Sequence, residues 1–168
     1  MYRSLLLLVP ALMLQAAESP IPGATEVRPG VWVLRGVPTE EVFAALKGQR
    51  ITHVVDLRRD GEANFNCEAE ASTLGGMSIQ YIRFAISTTP PNGDFDFLCS
   101  FVKDLPPKSR VLFHCGDGNR AAAAVCPWLV LAKGMPLEEA IQIAKAAGLQ
   151  LPATEQALRR YFSAHGRG

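Results

Sequence analysis

Charge of one sign is what this 168-residue chain has least of, with 17 Lys and Arg against 16 Asp and Glu, a formal net charge of +1. A near-neutral chain has no global attraction for nucleic acid or an anionic membrane, so neither is an expected partner and any anion site must be local. Metal-ligand spacing is also missing. The four cysteines, Cys67, Cys99, Cys115 and Cys126, form no Cys-x-x-Cys pair, so no metal site is expected. Their irregular spacing is not that of a small disulfide scaffold, although three full pairings remain open. A dinucleotide-binding glycine fingerprint is absent, so no cofactor is expected. The chain shows no internal repeat and no low-complexity segment, and none of its apolar runs reaches the roughly 20 residues that cross a bilayer.

The longest such run is Leu5–Leu14, interrupted only by Pro10, preceded by Arg3 and followed by the small residues Ala16 and Ala17. That layout reads as a secretory signal peptide over residues 1–17. An uncleaved anchor or a buried first helix is the other reading. Cleavage would remove Arg3 and no acid, taking the formal charge from +1 to 0. The expected location is periplasmic or secreted, with no stable membrane insertion after cleavage.

Residues 18–29, with Pro20, Pro22, Gly23 and Pro29, read as a linker, leaving 30–168 as one domain. Hydrophobic content of 48% and charged content of 20% suit a folded core. Short apolar strands are expected at Val31–Leu34, Ile51–Leu57, Ile79–Phe84 and Arg110–His114, alternating with helices. Thr39 is a good N-cap for the first helix, with Glu40 and Glu41 in its first turn. Leu98, Phe101, Val102 and Leu105 share one helical face. The fold class is therefore α/β, a largely parallel sheet of four to five strands flanked by helices.

The chemistry is concentrated in His114-Cys115-Gly116-Asp117-Gly118-Asn119-Arg120. A hydrophobic strand delivers Cys115 to the carboxyl edge of the sheet, where open α/β folds bind ligands. Gly116 and Gly118 let successive N–H groups converge on one anion, and the following helix start adds its own. Such a site favours a thiolate, and Arg120 adds a fork matched to oxyanions. His114 either takes part in catalysis or orients the loop. Asp117 opposes a dianionic substrate unless it points outward or acts as proton donor, and placed inward it would work against the thiolate. Arg58, just beyond a strand, is a candidate for a second anionic group; a charge paired with Asp60 or Glu62 is the alternative.

The chain from Gly30 to Phe162 resembles the cysteine-dependent protein tyrosine and dual-specificity phosphatases, in particular their bacterial beta-lactamase hydrolase-like, phosphatase-like branch. The resemblance rests on Arg35-Gly36 with Pro38-Thr39, Val54-Val55-Asp56-Leu57-Arg58 with Glu62, the Cys115 loop, Glu138-Glu139-Ala140 and Ala147-Gly148-Leu149. It implies a phosphatase-like fold, Cys115 as nucleophile, Arg120 as oxyanion ligand, and Gly116, Asp117, Gly118 and Asn119 as the substrate-binding turn. Two departures stand out. Four residues separate Cys115 from Arg120 where the phosphatases have five, a spacing similar to the rhodanese sulfurtransferases. The stretch that carries the phosphatases' general acid reads Ala85-Ile86-Ser87-Thr88-Thr89-Pro90-Pro91-Asn92-Gly93, so Asp94 is the nearest candidate, with Asp96 beyond it.

Three functions are consistent with these residues. The first is an exported phosphatase acting on a phosphorylated protein (phosphotyrosine or phosphoserine) or a small anionic phosphoester, through a cysteinyl-phosphate. The second is a sulfurtransferase with a Cys115 persulfide. The third is a non-catalytic module that binds oxyanions or phosphoproteins. Nothing in the pattern specifies an oligomeric state.

Overall fold

The computed structural model describes residues 19–63 and 65–166, and these form five short strands and six α-helices. The expected signal peptide, residues 1–17, lies outside them. The strands are β1 (Ala24–Arg28), β2 (Val31–Leu34), β3 (His53–Asp56), β4 (Gln80–Arg83) and β5 (Val111–His114). Their spatial order is β1-β2-β5-β3-β4. β5 is central and parallel to both β2 and β3, β4 adds a further parallel strand, and β1 closes the other edge antiparallel to β2.

β1 corrects the sequence reading, because the stretch expected as a linker contains a strand, Ala24–Arg28, and a core residue, Ile21. Ala24 pairs with Leu34, and Ile21 is fully buried. The prolines and glycines mark the tight turn into this strand and the hairpin turn after it, at Pro29-Gly30, where Gly30 takes φ +88°. The punctuation is therefore that of a hairpin, and the domain begins near Ile21.

Period-two alternation distributes the β2 residues between two cores. Val31 and Val33 face a core with α3 (Asn92–Asp104), α4 (Asn119–Pro127), α5 (Leu137–Ala147) and α6 (Pro152–Ala164). Trp32 and Leu34 face a smaller one with α1 (Glu40–Gly48) and α2 (Cys67–Gly76). Thr39 caps α1 as expected, its hydroxyl oxygen accepting from Val42 N at 3.3 Å. The sheet is thus covered on both faces, which explains why β2, β3 and β5 read as nearly unbroken apolar runs. Among the described residues no helix is long and apolar enough to cross a membrane.

Every residue of α4 is buried. Ala121–Ala124 have side chains small enough for the helix to seat against the sheet while contacting α3, α5 and α6. At its far end Pro127 has no N–H for the helical ladder, and the chain widens into a π-helical turn over Trp128–Ala132. This enclosed helix starts at the turn that carries Cys115, so the register of the whole core sets that turn in place.

Candidate active site

In the strand register Leu34, Asp56 and Arg83 end beside or near His114, the last residue of β5. The next residue, Cys115, therefore opens at the middle of the sheet's carboxyl edge. Gly118 holds the turn into α4 at φ +90°, and a Cβ there would lie 3.0 Å from Arg35 Cα. Conformation and close approach both demand glycine. Arg35 itself is tied to α5, donating from Nε to Ala147 O at 3.3 Å and from its terminal nitrogen to Ala146 O. Gly148 packs on Gly118 from the same side.

Cys115 is fully buried at the edge of the main hydrophobic core, and its sulfur meets polar partners there. Gly118 N–H donates to Sγ at 3.2 Å, and Sγ lies 3.3 Å from Asp117 Oδ1, which also accepts from Asn119 N–H at 3.0 Å. The Arg120 guanidinium stands beside the sulfur with its own position fully determined. Two parallel 2.5 Å bonds join it to the Glu62 carboxylate, and Nη1 also donates to Leu57 O and Ile86 O, each at 3.2 Å. Burial works against its charge, but the bonds to Glu62 and the proximity of Cys115 outweigh that and hold its pKa above the usual range. The sulfur thus has a backbone N–H donor on one side and a fixed guanidinium nearby.

Glu62 is the site residue that sequence reasoning undervalued. Its sequence neighbourhood offers Arg58 as partner, whereas the Arg59–Glu62 turn folds it under Arg120; Arg59 N–H donates to Glu62 Oε1 at 2.8 Å. The hydrogen bonds from Arg120 lower its carboxyl pKa from 4.5 to about 2. A depressed acid contributes stability that is complete above its unfolded pKa and is lost as pH falls through the folded one. The unfolding free energies of the wild type and Glu62→Gln should therefore diverge as pH rises from 2 to 4.5 and run parallel above that. Denaturant titrations at stepped pH check this, and a constant difference across the range would contradict it.

Arg58 and His114 belong elsewhere. Arg58 is no substrate ligand, because it is fully buried, bonding Asp56 at 2.9 and 2.7 Å and also bonding Glu70. His114, like Leu112, points to the α2 side of the sheet, opposite to Cys115. Its Nε2 lies 2.7 Å from Glu70 Oε1, out of line for a full hydrogen bond, and 3.9 Å from Asp56 Oδ1. Tyr81 O–H donates to Asp56 Oδ2 at 2.8 Å. His114 is thus part of a buried polar cluster behind the loop and does not reach the reacting atoms. Asp56, Glu70 and His114 bring metal-ligand atoms within 4.8 Å of one another. Both carboxylates, however, are already engaged by the Arg58 guanidinium, which is the cation of that cluster.

Asn119 also differs from expectation. Its side chain is a tether: Oδ1 accepts from Gln150 N and Leu151 N at 2.9 Å, and Nδ2 donates to Thr154 Oγ1 at 2.8 Å. Thr154 in turn donates to Thr88 O at 2.5 Å. Only the backbone of Asn119 faces the turn. Asp94 sits half-buried in the first turn of α3, its carboxyl pKa raised by burial. Among the described residues no hydrogen bond links it to the Cys115 loop. Asp96 bonds Tyr161 O–H at 2.8 Å, on the far side of α3.

A family model described as DSP-PTPase phosphatase fused to NAD+ kinase matches residues 21–160. No curated protein matches the sequence. Solved structures do share the fold. Tk-PTP in its active form superposes with a TM-score of 0.69 at 17% identity, over 84% of this chain and 97% of that one. PTPMT1 in complex with PI(5)P gives 0.69 at 15%, over 84% and 96%. A DUF442 protein of Shewanella putrefaciens CN-32 gives 0.67 at 20%, over 86% and 93%.

Proposed function

The chain belongs to the DSP-PTPase phosphatase family, and from that premise we propose that it hydrolyses phosphomonoesters through a cysteinyl-phosphate on Cys115. The observation that carries this reading is the Arg120 guanidinium, locked by Glu62 and two backbone carbonyls, standing beside a sulfur that accepts the Gly118 N–H. Preorganised donors of this kind stabilise the charge that spreads over a transferring phosphoryl group. The Cys115 thiolate attacks phosphorus, Arg120 and the turn amides hold the equatorial oxygens, and water then releases inorganic phosphate. The substrate is a phosphorylated protein side chain or a small phosphoester, met in the periplasm or outside the cell if residues 1–17 direct export.

The shortened turn favours a second reading, since four residues between Cys115 and Arg120 enclose a smaller cradle, suited to a sulfane sulfur carried on Cys115. Two assays on the purified chain separate the readings. Phosphate release from an aryl phosphate, abolished by Cys115→Ser, is the expected result. Thiocyanate formed from thiosulfate and cyanide, with no phosphate release, would establish the sulfurtransferase instead. Tight binding of inorganic phosphate with neither product would leave a binding module.

A further inference from the structure

Family membership supplies a nucleophile and an oxyanion ligand but not the proton donor, because Ala85–Gly93 contain no acid. We infer that Asp117, inside the anion turn itself, shares one proton with Cys115 and is the general acid of the reaction. This rests on the phosphatase reading and completes it.

Three contacts carry the inference. Asp117 Oδ1 lies 3.3 Å from Sγ, the same oxygen accepts the Asn119 N–H at 3.0 Å, and the Gly118 N–H goes to the sulfur at 3.2 Å. In the resting turn, therefore, a carboxylate occupies one of the donors that a phosphoryl oxygen would need. Gly116 and Asp117 are the exposed residues of a turn whose cysteine is fully buried, so the carboxylate lies on the solvent side of the sulfur. Sγ and Oδ1 stand at the separation of an S–H···O hydrogen bond, so one proton bridges the two groups.

An incoming phosphate dianion cannot share the cradle with a second anion. Its arrival displaces the carboxylate from Asn119 N–H and leaves the proton on Asp117, while Arg120 keeps the thiolate. One hydrogen bond thereby separates into a nucleophile and an acid. The exposed side chain swings through its two torsions to the leaving oxygen. In the first step the S–P bond forms, the P–O bond to the leaving group breaks with its electron pair on oxygen, and the Asp117 proton moves to that oxygen. In the second, water adds to phosphorus, the electrons of the S–P bond return to sulfur, and the released proton goes back to Asp117. The resting pair is restored.

The segment above the turn offers no competitor from its own residues. Ile86 O accepts from Arg120 and Thr88 O from Thr154, so this stretch is pinned by its backbone, and its polar side chains are three hydroxyls and the Asn92 amide. Asp94 is the rival that remains.

The test is a series of aryl phosphates that runs from a dinitrophenyl to a phenyl leaving group, assayed with wild-type chain, Asp117→Asn and Asp94→Asn. The amide oxygen of Asp117→Asn still accepts the Asn119 N–H, so the turn is kept. Asp117→Asn should lower kcat about 10²-fold on phenyl phosphate, and less than about threefold on dinitrophenyl phosphate, which needs no proton. At about pH 6, iodoacetamide should alkylate the Asp117→Asn thiol several-fold faster, because its anionic neighbour is gone. A loss equal across all leaving groups, an unchanged alkylation rate, or the leaving-group pattern appearing in Asp94→Asn instead would each overturn the assignment. A wild-type chain inert toward the whole series would instead sink the phosphatase reading, and the donor role with it.

Discussion

Exchange of Arg120 for lysine is expected to lower kcat on an aryl phosphate about 10³-fold without loss of fold. Charge is conserved in this variant, so the loss reports geometry. The arginine fork meets both Glu62 oxygens at 2.5 Å and spans Leu57 O and Ile86 O at 3.2 Å, and from that anchorage it faces the sulfur. A lysine ammonium is one point charge on a flexible stem and cannot hold Glu62 with two parallel bonds while reaching the transferring phosphoryl group. Glu62→Gln should act through the same guanidinium. Its loss is expected to be smaller, about tenfold, and not additive with that of Arg120→Lys, because both break one unit. Steady-state kinetics on the two single variants and the double variant, with circular dichroism to confirm folding, measure this. Arg120→Lys retaining more than about a tenth of wild-type activity would remove Arg120 from the transition state.

The second large effect is on stability. Arg58→Met is expected to destabilise the fold by about 3–5 kcal/mol, which for a chain of this length lowers Tm by roughly 6–20 °C. The methionine fills similar volume but leaves Asp56 and Glu70, both buried, without the guanidinium that bonds them. Burial acts on the Asp56 carboxyl in one direction, and the Arg58 hydrogen bonds, His114 and Tyr81 act in the other; the balance lowers its pKa. Without Arg58 that balance reverses, and the variant should gain stability on mild acidification as the stranded Asp56 carboxyl takes up a proton. The cluster also bears on activity. Asp56 pairs in register with His114, the residue before Cys115, so displacement of the β3 end shifts the start of the anion turn. Thermal and urea unfolding at about pH 7 and pH 5 test both parts, and a change below about 1 kcal/mol would mean that water, not protein, solvates these carboxylates.

Strand-helix alternation, the cap at Thr39 and the position of Cys115 at the sheet edge were all legible in the chain, because each depends on neighbours within a few residues. The same holds for Gly118, whose place between a strand and a helix requires a left-handed turn. β1 was missed since its prolines and glycines punctuate a hairpin as readily as a linker, and only pairing with β2 distinguishes the two. Partners separated by dozens of residues were beyond local pattern altogether. Whether Glu62 meets Arg120 or Arg58, whether His114 faces the sulfur or Glu70, and whether Asn119 binds a ligand or ties down α6 depend on side-chain direction across a folded sheet. Sequence alone determined that a glycine-bearing turn with a cysteine and an arginine joins a strand to a helix here. The tertiary structure decided which charges are site and which are scaffold, since an ion pair forms only where packing brings both ends together and excludes the water that would otherwise solvate them.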